Sequence, residues 1–264
     1  MPIHLASRFA FDLAQPASVL LQFEAADMPG QQLVETACDI KPVNELTRVA
    51  AQDNIGERIW LHAESRVEVR YEASVAVDRD LPALENLHQL SPHRLPGDAV
   101  KFLLSSRYCF SNQFLAFVEE EFGGTEGGAR IAAIRDWLNT HIAYSPGVSG
   151  PQTTAVDTFH ARAGVCRDFA HMLVTLARAS SIPARYVSCY APGVTPQDFH
   201  AVAQVYLANP QGTGGDWHLV DATGMADLEH AAIIGVGRDA ADVAFVTSFA
   251  PMQFEYVKVD VARG

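Results

Sequence analysis

The run from Ala163 to Arg178, AGVCRDFAHMLVTLAR, is the feature that most constrains the fold. Its large apolar residues recur at helical spacing: Phe169, Met172, Leu173 and Leu176. This periodicity predicts a helix with one apolar face turned toward a protein core. Pro183 marks its end, because proline cannot continue a helix and disfavours helical geometry in the residue before it.

Cys166 falls in the first turn of this predicted helix. Backbone N–H groups without helical partners carry partial positive charge there, and this charge favours a thiolate over a thiol. The thiolate is the nucleophilic form of cysteine. A single cysteine is more often a small buried hydrophobic residue. A nucleophilic role therefore requires that the rest of the chain supply a base and an acid to orient it.

Composition and charge narrow the class of protein. The chain has 264 residues, of which 48% are hydrophobic and 19% charged, as in a folded domain rather than a disordered segment. A formal net charge of −12 disfavours nucleic acids and anionic membranes as partners, because both bind cationic surfaces. No apolar run has the length of a membrane span, and the N-terminus lacks the pattern of a signal peptide. We therefore predict a cytoplasmic protein.

The cysteines and histidines give no sign of a metal or a disulfide framework. The four cysteines are widely spaced and include no CxxC pair: Cys38, Cys109, Cys166 and Cys189. This spacing disfavours a disulfide scaffold and a zinc ribbon. Three histidines are possible zinc ligands by residue type, but their spacing is not that of a zinc site: His160, His171 and His218. We therefore predict neither a metal nor another cofactor.

The first 97 residues are predicted to form a β module and a connector. Val67–Val77 alternates apolar and other residues, which is typical of a strand with one wet face. Several shorter apolar runs precede it, so an antiparallel sandwich is expected over residues 1 to about 77. The stretch 78–97 contains three prolines and little periodicity, as expected of a surface connector.

Residues 98–264 are predicted to form an α+β core. Three helices are expected before the Cys166 segment: Phe110–Phe122, Ala129–His141 and Thr153–Ala161. After Pro183 the period becomes two, and three strands are expected to form an antiparallel meander: Ala184–Tyr190, Phe199–Leu207 and Asp216–Asp221. A glycine-rich turn over Asn209–Gly215 separates the last two of these strands. A further segment, Val243–Val261, is expected to complete the same sheet.

His200 and Asp221 are the candidate partners of Cys166. His200 lies at the start of the second meander strand, and Asp221 closes the third. In neighbouring antiparallel strands the two side chains can lie side by side, at the edge where the cysteine helix begins. A thiol, an imidazole and a carboxylate that converge in this way form the general arrangement for nucleophilic catalysis.

Four ordered motifs resemble the bacterial transglutaminase-like proteins. They are GVCRDFAH from Gly164, IPARYVS from Ile182, FHA from Phe199, and WHLVDAT from Trp217. The resemblance covers residues 125 to 225, and the N-terminal β segment is similar to a module that commonly precedes this core. The segment Gly237–Val243 resembles the one that follows it.

This resemblance implies a papain-like cysteine fold in which Cys166 is the nucleophile, His200 the base and Asp221 the residue that orients the base. It also implies that an amide or ester of a peptide or protein substrate is attacked to give a thioester, without a cofactor. Water attack on the thioester gives hydrolysis and amine attack gives transamidation, and both remain open. Three positions depart from the usual pattern of the family: Cys189, Val202 and Ala222.

Several alternatives remain open from the residues alone. The chain could be a peptide-binding or protein-binding module that keeps the fold without turnover. The Cys166 N–H is a natural donor to an oxyanion, and Tyr144 and Trp137 are candidates for a second donor. Asp168 is expected to cap the Cys166 helix or to pair with Arg185.

Overall fold

The structure is a computed structural model that describes residues 2–42, 45–209 and 214–264. Six strands come first: β1 (Ile3–Leu13), β2 (Ala17–Leu21), β3 (Gln31–Lys41), β4 (Leu46–Ala50), β5 (Glu57–Ala63) and β6 (Val67–Val77). The middle of the chain forms α1 (Gly97–Val100), α2 (Leu115–Phe122), α3 (Gly127–His141), β7 (Ala143–Tyr144), α4 (Ala155–Ala161), β8 (Ala163–Gly164) and α5 (Cys166–Ala179). The remaining strands are β9 (Ala184–Tyr190), β10 (His200–Ala208), β11 (Gly215–Val220), β12 (Ala232–Gly237), β13 (Val246–Ser248) and β14 (Met252–Arg263).

The N-terminal strands form the predicted antiparallel sandwich. One sheet has the order β14-β1-β6-β3 and the other β13-β2-β5-β4. Alternate residues of both sheets share one apolar cluster, which includes Phe9, Leu21, Ile59 and Val69. Because side chains alternate between the faces of a strand, this register turns one face of each sheet inward. The strand predicted over Val67–Val77 is confirmed with these bounds.

The core consists of α5 packed against an antiparallel sheet of order β11-β10-β9-β12. The predicted meander of β9, β10 and β11 is confirmed, as is the α+β class. The periodicity predicted that one face of α5 is buried. In the structure every residue from Asp168 to Ala179 is buried, so the helix is covered on all sides over this stretch. The reason is that α3 and α4 pack against α5 in addition to the sheet.

The C-terminal segment was wrongly predicted to complete the core sheet. The β14 strand instead pairs with β1 along its whole length, from Ile3 opposite Arg263 to Leu13 opposite Met252. The shorter β13 pairs with β2, and the fourth strand of the core sheet is β12. An alternating pattern determines which face of a strand is buried but not which strand it pairs with. The division of the chain at residue 97 stays a prediction.

Smaller predictions were met in part. The connector 78–97 contains short 3₁₀ turns and the start of α1, as its prolines suggested. The helix predicted over Phe110–Phe122 is divided into a 3₁₀ turn, Ser111–Gln113, and α2. Residues 210–213 of the predicted turn lie outside the described residues. In the described part of the chain, no helix combines the length and the apolar character that a membrane span requires.

Candidate active site

The start of α5 is held by a local capping arrangement. The Val165 N–H donates to Asp168 Oδ2 at 2.8 Å, so the Asp168 carboxylate caps the helix. A Cβ added at Gly164 would lie 2.6 Å from Asp168 Cβ, so this close approach requires glycine. The other predicted partner of Asp168, Arg185, instead contacts Gln204 and Asp53. The cap thus fixes the first turn of α5, where Cys166 lies.

Cys166 differs in exposure from the other core cysteines. Its side chain is partly exposed, whereas Cys109 and Cys189 are fully buried. Burial raises the pKa of Cys109 to about 11, which keeps this thiol protonated at neutral pH. Of these three thiols, Cys166 is therefore the one that a substrate can reach.

The meander brings His200 and Asp221 together. Strand β10 lies between β9 and β11, and this order places the first residue of β10 beside the residue that follows β11. His200 Nε2 lies 3.2 Å from Asp221 Oδ2, and both residues are buried. The predicted neighbourhood of the imidazole and the carboxylate is therefore present in the structure.

Asp221 is held by a turn that supplies several donors to its carboxylate. The Thr223 N–H donates to Oδ1 at 2.8 Å, and the N–H groups of Met225 and Ala226 donate to Oδ2 at 3.0 and 2.8 Å. The Thr223 hydroxyl also bonds both carboxylate oxygens. Burial opposes ionisation of Asp221, but its bonds with His200, Ala226 and Thr223 outweigh burial and lower its pKa.

The His200 ring also interacts with Cys166. His200 Nδ1 is buried and makes no conventional hydrogen bond with the described residues. Burial disfavours the imidazolium, but the interactions of the ring with Asp221 and Cys166 outweigh this effect and raise the pKa of His200 to about 9. The structure thus brings all three predicted site residues together, with the imidazole between the thiol and the carboxylate.

Tyr144 lies beside the cysteine, but Trp137 does not. Strand β7 pairs with β8, which sets Tyr144 opposite Gly164. Burial and the Cys166 thiol raise the pKa of Tyr144, while the nearby Cys166 N–H acts in the opposite direction. The Trp137 ring instead stacks on His141 and Phe159, at centroid distances of 4.6 and 6.0 Å. Of the two candidates for a second oxyanion donor, Tyr144 alone is placed at the site.

The histidines considered as metal ligands do not converge. His171 Nε2 accepts a hydrogen bond from the Ala240 N–H at 3.1 Å, and the His160 ring lies edge-on to Phe159. In the described part of the chain, the group with ligand atoms close enough for a metal is Asp227, Glu229 and His230. Asp227 already pairs with His230 and Arg263, so its carboxylate has partners within the protein.

Sequence reasoning missed three residues at or near the site. Thr223 supports Asp221, and its position two residues after an aspartate is a recognisable turn signal. Tyr186 in β9 belongs to the small cluster against which Cys166 packs, and Ala240, which follows β12, packs against the same cluster. No local signal announces these two, because the fold brings them from distant parts of the chain.

Comparison with known proteins identifies relatives of this chain. Residues 117–222 match the transglutaminase-like superfamily. The crystal structure of a protein from Cytophaga hutchinsonii, described as a "Putative Cysteine Protease", is 31% identical with a TM-score of 0.92. That match covers 99% of this chain and 90% of the Cytophaga chain.

Curated relatives match over a shorter stretch. Uncharacterized protein ML0607 of Mycobacterium leprae is 36% identical over 124 residues, which cover 44% of this chain and 42% of that protein. Uncharacterized protein Rv2569c of Mycobacterium tuberculosis is 31% identical over 128 residues, which cover 43% and 40%. The matched region thus spans less than half the length of these curated relatives.

Proposed function

Because the chain belongs to the transglutaminase-like superfamily, we propose that it is an enzyme that breaks an amide bond of a peptide or protein through a thioester on Cys166. The observation that carries this proposal is the position of His200, whose Nε2 lies 3.2 Å from Asp221 Oδ2 and whose ring also interacts with Cys166. A buried imidazole between a partly exposed thiol and a buried carboxylate is the arrangement that nucleophilic catalysis requires.

The reaction begins from an ion pair in which the Cys166 thiol has given its proton to His200. The resulting thiolate sulfur attacks the carbonyl carbon, and the carbonyl oxygen takes up the negative charge. His200 then donates its proton to the leaving nitrogen as the carbon–nitrogen bond breaks, which leaves a thioester on Cys166. Water or an amine next gives a proton to His200 and attacks the thioester carbon. The carbon–sulfur bond then breaks, the acid or the new amide is released, and the proton on His200 is again shared with the Cys166 sulfur as in the starting pair.

Asp221 determines which nitrogen of His200 is available for this chemistry. Its Oδ2 accepts a hydrogen bond from Nε2–H, so Nδ1 is left for the sulfur. The carboxylate also stabilises the imidazolium, in agreement with the raised pKa of His200. The donors from Thr223, Met225 and Ala226 keep the carboxylate itself charged and oriented.

Two groups are suited to stabilise the oxyanion. Cys166 is the first residue of α5, so its N–H has no acceptor within the helix and can donate to the developing charge. The Tyr144 hydroxyl lies near this N–H, and its raised pKa keeps it a neutral donor at physiological pH. One donor to an oxyanion is typically worth about 10²–10³ in rate.

The test is a search for turnover that depends on the thiol. Fluorescent casein, a peptide library and the glutamine donor benzyloxycarbonyl-Gln-Gly with an amine acceptor would be incubated with the wild type and with Cys166→Ala, with mass spectrometry as the readout. We expect cleavage or amine incorporation by the wild type alone. The exposed Cys38 provides a matched control, since Cys38→Ala should retain activity.

Labelling by iodoacetamide tests the same proposal without a known substrate. We expect Cys166 to react at pH 6, where a free thiol with a pKa near 8.5 is less than about 1% ionised. The other exposed thiol, Cys38, should label slowly, because burial and the nearby Glu24 raise its pKa. No preference for Cys166 at pH 6, together with peptide binding that survives Cys166→Ala, would instead support the binding-module alternative.

A further inference from the structure

Tyr186 is a buried residue at the candidate site that the mechanism above does not use. It lies in β9 and is 6% exposed. It belongs to a small cluster with Ala170, Ala201 and Val243, against which Cys166 and Ala240 pack. Tyr186 therefore lies in a mainly apolar cluster that borders the cysteine.

The Tyr186 hydroxyl has no hydrogen-bond partner among the described residues. Hydroxyl groups of largely buried residues are usually paired with another group of the protein. The oxygen is also not among the fully enclosed polar atoms, so the small exposed part of Tyr186 includes its polar end. An unpaired hydroxyl that opens beside a candidate nucleophile indicates a partner that arrives with the substrate.

The hydroxyl is neutral and acts as a donor. Burial raises the pKa of Tyr186 well above its usual value, and the neighbouring Cys166 acts in the same direction. A neutral phenol with a free O–H complements a carbonyl oxygen better than it complements a cation. The acyl part of a peptide or glutaminyl substrate carries such an oxygen on the carbonyl groups next to the one attacked.

The ring of Tyr186 packs against the ring of His171. The two ring centroids lie 5.1 Å apart, and the far face of His171 stacks on Tyr108 at the same distance. His171 Nε2 accepts a hydrogen bond from the Ala240 N–H, and Ala240 packs against the same cluster as Cys166. Burial lowers the pKa of His171 well below its usual value, and Arg167 and Arg178 act in the same direction, so the ring stays neutral. Tyr186 is therefore a preorganised donor rather than a mobile side chain.

We propose that the Tyr186 hydroxyl binds the substrate by donating a hydrogen bond to a second carbonyl oxygen of the acyl group, adjacent to the carbonyl that Cys166 attacks. This inference rests on the proposed function. It restricts the preferred substrates to acyl groups with at least two neighbouring carbonyls, such as peptides. Acyl groups with a single carbonyl gain nothing from Tyr186.

The test compares two reagents that label thiols covalently, so that it does not depend on turnover; no reductant is present during the labelling. Benzyloxycarbonyl-Gly-Gly chloromethyl ketone carries neighbouring carbonyls, whereas methyl methanethiosulfonate carries none. Second-order rate constants for labelling of Cys166 would be measured by peptide mass spectrometry. We expect Tyr186→Phe to slow the peptidyl reagent about tenfold, as for loss of one hydrogen bond, and to change the rate of the small reagent less than about twofold.

Tyr206→Phe is the matched control. Tyr206 lies on the neighbouring strand β10, and its ring packs against Trp217, so both rate constants should equal those of the wild type. Unchanged labelling by the peptidyl reagent in Tyr186→Phe would overturn the inference, as would an equal fall for both reagents, which indicates a structural role. A different result would contradict the proposed function itself: Cys166 of the wild-type protein would then be labelled no faster than Cys38.

Discussion

His200 Nε2 lies 3.2 Å from Asp221 Oδ2, although 21 residues separate them, and their side chains are 0% and 3% exposed. The pair leaves His200 Nδ1 without a hydrogen-bond partner among the described residues, while the ring also interacts with Cys166. Because the pair is buried, its hydrogen bond is protected from water and fixes the ring.

Asp221→Asn tests the orienting role of the carboxylate. The amide cannot stabilise the imidazolium and can bind the wrong tautomer of His200, so kcat should fall by about 10²–10⁴. The pKa of His200 should also fall, because Asp221 is one of the two groups that raise it. The pH profile of kcat/KM would show this as a shift of its alkaline limb to lower pH. Asp216→Asn, an exposed carboxylate in β11, should leave both quantities unchanged.

The pH dependence of activity should report His200 directly. Its pKa is raised from 6.5 to about 9, so the imidazolium that protonates the leaving nitrogen is lost as the pH rises through about 9. We expect kcat/KM to decline above that pH in a stopped-flow or fixed-time assay. A decline centred near pH 6.5 would mean that His200 is not paired with Asp221 and Cys166 in solution.

The His200–Asp221 pair should also contribute to the free energy of unfolding, and the raised pKa of His200 determines how this contribution changes with pH. The pKa of His200 is raised in the folded state, so its contribution is complete below about pH 6.5 and is lost as the pH rises through about 9. Its size is on the order of 3 kcal/mol at most. Urea unfolding of the wild type and His200→Gln at pH 6 and pH 9.5 would measure it. The difference in unfolding free energy should be larger at pH 6, and an equal or reversed difference would contradict the assigned sign.

Tyr144→Phe and Trp137→Phe separate the oxyanion role from packing. Loss of the Tyr144 hydroxyl should lower kcat by about 10² with little change in KM or in melting temperature. Trp137 is 9% exposed and stacks in an aromatic cluster, so Trp137→Phe should lower stability by about 1–3 kcal/mol and leave kcat nearly unchanged. Steady-state kinetics and thermal unfolding of both variants would check this. An unchanged kcat in Tyr144→Phe would contradict the proposal that the Tyr144 hydroxyl is the second donor to the oxyanion.

Gly164→Ala should disrupt the entry to the cysteine helix. The added methyl would lie 2.6 Å from Asp168 Cβ, so the capping carboxylate must move. We expect a loss of about 1–3 kcal/mol in the free energy of unfolding, together with slower labelling of Cys166. Gly124→Ala is the control, since nothing lies within 4 Å of its added methyl. Equal stability of both variants would show that the cap is not needed to hold Cys166.

The sequence by itself determined the elements and their bounds wherever the signal is local. Periodicity and the proline at 183 were enough for α5 and for β9 over Ala184–Tyr190, because a helix or strand repeats over a few residues. The ordered motifs around Cys166, His200 and Asp221 were enough for the family, and their catalytic roles stay predictions.

Only the tertiary structure decided which distant segments meet. Strand β14 pairs with β1 rather than with a strand of the core sheet. Arg185 bonds Asp53, which is 132 residues away in the sequence, rather than Asp168. The tertiary structure also brings Tyr186 into the cluster that borders Cys166, and it packs the ring of His171 against the ring of Tyr186. Long-range pairing depends on which strand edges and buried polar groups remain unpaired once the whole chain has packed. No local pattern contains that information, because it belongs to the complete set of contacts.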